Sequence, residues 1–370
     1  MKNLLFTIYF SIFSLIVFGQ DSIQVDTVSL IFVGDIMGHD PQIASAFDTA
    51  TGSYDYDFTF KNIGHIVGNV DFAIANLEVT LAGQPYTGYP KFSSPDELAS
   101  SCKKVGFDVL VTSNNHSCDR GKDGILRTLN ILDSLKIKHT GTFRDSLERD
   151  TCNLLVLKKG NMSLGLLNYS YGTNGEPIPF PTKVNQIDTT LMLFDIEKSK
   201  KDSLDKLIVL VHWGLEYKSH PSQKQLSLSK FLFKNGVDIV IGSHPHVLQR
   251  IEYHAKTDTT KESFIVYSLG NFVSNQRTRK RDGGLMLELT LTKTNNETII
   301  SDMGYHLTWV NKPKINGKTN FEIIPCLEYE NDNYKDLNQK SINSMKVFLT
   351  DSRTLLKKDN IGVKEIKYIP

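Results

Sequence analysis

Residues 237–253 read VDIVIGSHPHVLQRIEY. Five of the six residues from Val237 to Gly242 are small or apolar, the composition of a strand buried on both faces. The run closes with His244 and His246, one residue apart, with Pro245 restricting the backbone between them. A lone histidine at a strand end needs no special reason. Two at this spacing can aim both imidazoles at one point, which raises the question of what else is delivered there.

Upstream, the same kind of run recurs. TVSLIFVGD (27–35), DFAIANLE (71–78), FDVLVTSNNH (107–116) and DKLIVLVHWG (205–214) are apolar stretches of strand length. Between them lie segments with helical spacing. YDFTFKNIGHIVGNV (56–70) places Phe60, Ile63, Ile66 and Val67 on one face. SPDELASSCKKVG (94–106) has Ser94 as N-cap, Pro95 in the first turn and Gly106 as stop. GKDGILRTLNILDSLK (121–136), a stretch near Thr189–Ser199 and SQKQLSLSKFLFKNG (222–236) follow the same pattern. Strands separated by helices imply crossover units and largely parallel pairing. Two hairpins interrupt the rhythm: TCNLLVLKKGNMSLGLLNYSY (151–171), turning at Lys-Gly-Asn, and HVLQRIEYH with ESFIVYSLGNF (246–272). GGLMLELTLT (283–292) is a further strand. The mixture fits a sandwich of mixed sheets better than a plain doubly wound sheet.

The chain has 370 residues, with 42 Lys+Arg against 41 Asp+Glu. A net charge of +1 gives no global field for nucleic acid or anionic membrane. The N-terminus, MKNLLFTIYFSIFSLIVFGQDS, has one early cation, an apolar run from Leu4 to Phe18 and a small-polar junction. It reads as a signal peptide over residues 1–20, with the mature protein exported to the periplasm or cell surface. Four cysteines (Cys102, Cys118, Cys152, Cys326) form no C-x-x-C pair and allow three disulfide pairings. The polar KTNNET (293–298) marks a boundary beyond Thr294, giving a main domain over 27–290 and a C-terminal α+β extension over 291–370.

Each apolar strand hands polar residues to its carboxyl end, where open α/β sheets bind ligands. The first delivers Asp35, with His39 further on, and the second Asn76 and Glu78. The third delivers Asn114, Asn115 and His116, and the later ones His212, His244 and His246. Imidazole, carboxylate and carboxamide without thiolate suit one or two divalent ions, Mn, Zn or Fe, that share a bridging carboxylate. A histidine outside the ligand set can protonate a leaving group. Rival chemistries lack their signatures: no G-x-S-x-G surrounds Ser243, and no phosphate-binding or dinucleotide glycine loop occurs. A Glu78–Glu216 glycosidase pair is compatible with the residue types, but nothing sets its separation.

The blocks LIFVGDIM, ANLEVTL, TSNNHSCDRGKDG, LVHWGLEY, IGSHPHVLQRIE and YSLGNFV, in this order, resemble the poly-γ-glutamate capsule-synthesis protein family. That family is a branch of the calcineurin-like metallophosphatases, and the resemblance runs from about Ser29 to Leu289. It implies a four-layer α/β/β/α sandwich of two mixed sheets and action on an anionic cell-surface polymer or a related small substrate. Capsule-synthesis membrane proteins are implied partners. The metal ligands it implies are Asp35, Glu78 (bridging), Asn115, His212, His244 and His246. His116 is the implied proton donor with Asp119 behind it, and Gly121 and Gly124 are backbone necessities. Asn271 resembles a position near the cleft, and Glu216 is a candidate to orient His212. The chain departs from the pattern at Met37, which stands where the superfamily places a histidine; His39 is the one nearby substitute.

Overall fold

The computed structural model describes residues 25–295 and 297–367; the expected signal peptide, residues 1–20, lies outside them. Two mixed sheets pack face to face. The larger has nine strands. Its continuous path runs Glu322–Pro325, Glu297–Asn311, Gly283–Thr294, Val25–Ile36, Phe72–Leu77, Val109–Val111 and Lys138–Thr140. From Val25–Ile36 to Lys138–Thr140 the neighbours are parallel, and from Val25–Ile36 through Gly283–Thr294 to Glu322–Pro325 they are antiparallel. The second sheet has six strands: Ile251–His254, Ser263–Val266, Ile239–Ser243, Lys206–His212, Met162–Ser170 and Leu155–Lys159.

Period-two alternation decides what each face buries. Leu30 and Phe32 join Leu166, Ile208, Leu210, Ile239 and Ile241 in the core between the sheets. Ile31 and Val33 face the other way, onto Leu98, Ala99 and Cys102 of helix Glu97–Val105. The outer face of the second sheet, Leu167, Val209, Val211 and Val240, is covered by helices Thr189–Ser199 and Gln223–Lys234 through Met192, Ile196, Leu228 and Leu232. Helix, sheet, sheet, helix is the expected order. Burial on both faces is why the strands read as near-continuous apolar runs.

Several local expectations change. Residues 56–70 form two single turns, Asp57–Phe60 and Gly64–Val67, rather than one helix, although Phe60, Ile63, Ile66 and Val67 are all buried. Helix Glu97–Val105 begins after Asp96, not Ser94, and Gly106 ends it at φ 121°. All four cysteines are unpaired. The boundary placed between 290 and 291 falls inside strand Gly283–Thr294. Its partner Glu297–Asn311 pairs with it from Thr294–Glu297 onward, so Lys293, Thr294, Glu297 and Thr298 of the polar stretch are paired strand residues and not a linker. Helix Gln339–Asp359 packs Met345, Phe348, Leu349 and Leu356 into the inter-sheet core. Residues 291–367 are therefore continuous with the sandwich. Among the described residues no helix is long and apolar enough to cross a membrane.

One crossing between the sheets brings their strand ends together. After Ser263–Val266 the chain leaves the smaller sheet, and Asn271–Val273 pairs in parallel with the end of Val25–Ile36, Asn271 beside Asp35. Gly34 permits this approach: a Cβ there would lie 1.9 Å from the Gly270 carbonyl oxygen.

Candidate metal centre

The carboxyl ends of strands from both sheets converge. Asp35 is the penultimate residue of its strand, Glu78 follows Phe72–Leu77, and Asn115 and His116 follow Val109–Val111. His212 ends Lys206–His212, and His244 and His246 follow Ile239–Ser243. All seven are buried. Parallel pairing puts His212 level with Ser243, so the histidines from adjacent strands emerge together. The rings of His212 and His244 are 4.8 Å apart, and those of His244 and His246 are 5.9 Å apart. Both histidines of the His-Pro-His turn hold positive φ, 94° and 56°. For non-glycine residues such conformations cost about 1–3 kcal/mol each and persist where surrounding structure enforces them, often at functional sites.

Glu78 lies at the centre. Its Oε1 is 3.5 Å from His212 Nε2 and 3.8 Å from His246 Nε2. Ligand atoms within 4.8 Å of one another form two overlapping groups, Glu78/His244/His246 and Asp35/Glu78/His212, and Glu78 belongs to both. Asn115 Oδ1 lies 2.8 Å from His212 Nε2, which adds the carboxamide to the same cluster. Asp35 Oδ2 is 3.1 Å from His246 Nδ1, and its Oδ1 accepts from Asn76 Nδ2 at 2.8 Å.

The electrostatics separate the two carboxylates. Burial alone would raise the Asp35 carboxyl, but the hydrogen bonds from His246 and Asn76 outweigh it and hold it below its ordinary value. Glu78 is pushed well above its ordinary value, first by burial and then by the negative charge of Asp35. Neither Glu78 oxygen has a hydrogen-bond partner, and neither does His244 Nδ1. A buried, unpartnered carboxylate is costly unless a proton or a cation neutralises it. Burial also pushes His212 well down, and His244 down to about 3, leaving both imidazoles in the neutral, ligating form. The residues present thus fit a divalent cation, by donor type and by the donors left unsatisfied.

The remaining residues sort by contact. His116 Nδ1 is 2.7 Å from Asp119 Oδ2, and the same oxygen accepts from the Phe92 backbone N–H at 2.7 Å. The Phe92 ring meets His116 edge-on at 4.6 Å. Asn271 Oδ1 lies 3.0 Å from His246 Nδ1. Glu216 is exposed and does not orient His212, whose nitrogens are taken by Ser243, Asn76 and Asn115. Met37 is buried in the apolar cluster with Ile36, Val79 and Phe92, so its thioether packs rather than joining the donors. His39 belongs to neither group of donors. It caps helix Asp40–Ala46, its Nδ1 is 3.1 Å from Gln42 Oε1 and accepts from the Asn275 N–H, and its ring packs on Phe92. Sequence reasoning missed Tyr171, whose ring lies 4.5 Å from that of His244. It comes directly after strand Met162–Ser170 at the same edge, and the strand-end rule that found the histidines applies to it too.

The family of bacterial capsule synthesis proteins, PGA_cap, matches residues 29–276. This chain belongs to that family. It is 28% identical over 275 residues to the capsule biosynthesis protein CapA of Bacillus anthracis, covering 70% of this chain and 63% of that protein. It thus spans less than two thirds of that relative. The PGA biosynthesis protein CapA of Bacillus subtilis is 28% identical over 315 residues, 81% of this chain and 71% of that one. Among solved structures, the calcineurin-like phosphoesterase YfkN of Bacillus subtilis aligns over 90% of this chain and all of that one, with 14% identity and a TM-score of 0.44. The matched span begins at the first strand and ends shortly after Asn271, so it contains every residue of the cluster.

Proposed function

We propose that this protein is an exported, metal-dependent hydrolase or transferase that acts on an anionic cell-surface polymer, poly-γ-glutamate in the family's own terms. Export is supported by the apolar run Leu4–Phe18, and the polymer by family membership. The observation that carries the metal reading is Glu78, a buried carboxylate with no partner, common to two groups of donors. Asp35, Glu78, Asn115, His212, His244 and His246 would hold one or two ions, with Mn, Zn or Fe suited to this donor set. Such ions supply Lewis acidity toward a carbonyl or phosphoryl oxygen and acidify water.

The chain's own residues do the rest. Asp35 and Asn271 flank His246 Nδ1 and fix its ring. Ser243 and Asn76, both at Nδ1, do the same for His212 and leave its Nε2 toward Asn115 and Glu78. Asp119 accepts from His116 Nδ1, which leaves Nε2 to exchange a proton with a leaving amine or alkoxide. Capsule-synthesis membrane proteins would be the partners that deliver the polymer.

The test is chain-length analysis of poly-γ-glutamate incubated with the metal-loaded protein. Wild type should shorten or transfer the polymer. His116→Ala should lose roughly 10²–10⁴-fold in rate while keeping its metal. Turnover of a chromogenic phosphate ester with the polymer untouched would replace this reading by a phosphoesterase. Polymer binding without any metal-dependent change would replace it by a non-catalytic accessory.

A further inference from the structure

The loop from Ser274 to Asp282, between strands Asn271–Val273 and Gly283–Thr294, carries Arg277, Arg279, Lys280 and Arg281. Their surroundings differ. Arg279 is held by Asp351 through two hydrogen bonds of 2.6 Å. Arg281 has no ion-pair partner among the described residues; its guanidinium lies over the Tyr217 ring, 3.2 Å from the centroid. A guanidinium stacked by its face keeps its in-plane N–H groups available, and this fork matches the two oxygens of a carboxylate or phosphate.

Both members of the stack are tied to the metal centre. The Tyr217 ring centroid is 6.1 Å from that of His246. Its backbone N–H donates to the carbonyl of Pro245, at 2.8 Å, between the two ligand histidines. Tyr217 sits at φ 65°, a left-handed conformation that is a true outlier for a bulky side chain. Asn271 fixes the other member. Its Nδ2 donates to the Arg281 carbonyl at 2.8 Å and to Gln276 Oε1 at 3.2 Å, while its Oδ1 faces His246 Nδ1. One asparagine therefore sets both a ligand imidazole and the base of Arg281. A surface arginine resting on a tyrosine is ordinary packing worth about 0.5–1 kcal/mol. That packing alone explains neither the strained Tyr217 backbone nor the shared tie to His246.

We propose that Arg281, laid on Tyr217, is the anion-recognition position of this site, gripping an oxyanion of the substrate beside the bond that is cut. This rests on the metal-centre reading and deepens it. A polymer of γ-linked glutamate offers such a group at every repeat, the free carboxylate next to each amide nitrogen; a phosphate ester offers a phosphate.

Calorimetric binding in a His116→Ala background separates these sources, with a short γ-linked glutamate oligomer and inorganic phosphate as probes. Arg281→Ala should weaken one of the two about ten- to a hundredfold without lowering metal content. Arg281→Lys should recover only part of the loss, because it keeps charge but not the fork. Loss confined to the oligomer assigns a carboxylate, and loss confined to phosphate assigns a phosphoryl group. Equal affinity of Arg281→Ala and its parent for both probes, with metal retained, overturns the proposal, and so does a parent that binds neither. An unmetallated wild type would instead overturn the metal reading, and the Arg281 comparison would still be decided on the metal-free protein.

Discussion

Met37 sits two residues after Asp35, where the resemblance leads one to expect an imidazole. The thioether is a poor ligand for the ions that suit the rest of the donor set. It is buried among Ile36, Val79 and Phe92, and His39 accepts from the Asn275 N–H at Nδ1 and lies outside both donor groups. Neither residue therefore adds a donor to the Asp35/Glu78/His212 group. Met37→Leu should leave metal content unchanged and alter stability by less than about 1.5 kcal/mol, because it is a volume-conserving change in an apolar cluster. Metal analysis with urea denaturation checks this. A folded Met37→Leu protein that had lost an ion would show that sulfur ligates after all.

At the scale of the element, parallel strands ending level with one another explain why single residues from distant parts of the chain meet. Strand Ile239–Ser243 has a tight requirement. A Cβ on Gly242 would lie 2.1 Å from the Tyr267 carbonyl oxygen and 2.6 Å from Trp213 Nε1, which itself donates to that carbonyl at 3.0 Å. Gly242→Ala should thus push the strand end away, destabilise the protein by about 1–3 kcal/mol, and misplace the adjoining His-Pro-His turn. Equilibrium unfolding, read beside metal content, tests both effects. Unchanged stability would mean that the strand end is looser than described. The strand ends were legible in the sequence because each apolar run closes on a polar residue. Their partners were not. Tyr217 and Ser243 act through backbone geometry and pairing across long sequence separations, which no local pattern encodes, and Asn271 came from the family resemblance alone.

For the molecule as a whole, hydrophobic periodicity yielded both the alternation of strands with helices and the hairpins. It failed around Thr294, where the polar ends of two paired strands have the same composition as a linker. The sandwich needs the segment C-terminal to that turn: Leu285, Leu287 and Leu289 share a core with Trp309, Phe348 and Leu349. A chain ending at Thr294 should be insoluble or lack cooperative unfolding, as thermal melts of the truncated and full-length proteins would show. A well-folded fragment would contradict the continuity of the sheet. In the proposed function the strand ends of both sheets build a cation site around Glu78. Its most direct test is metal content by mass spectrometry on the folded wild type and on His244→Ala/His246→Ala, after exposure to Mn²⁺, Zn²⁺ and Fe²⁺. The account predicts about one or two ions per wild-type chain and none in a double variant that remains folded. A wild type that stays empty under all three metals would contradict it.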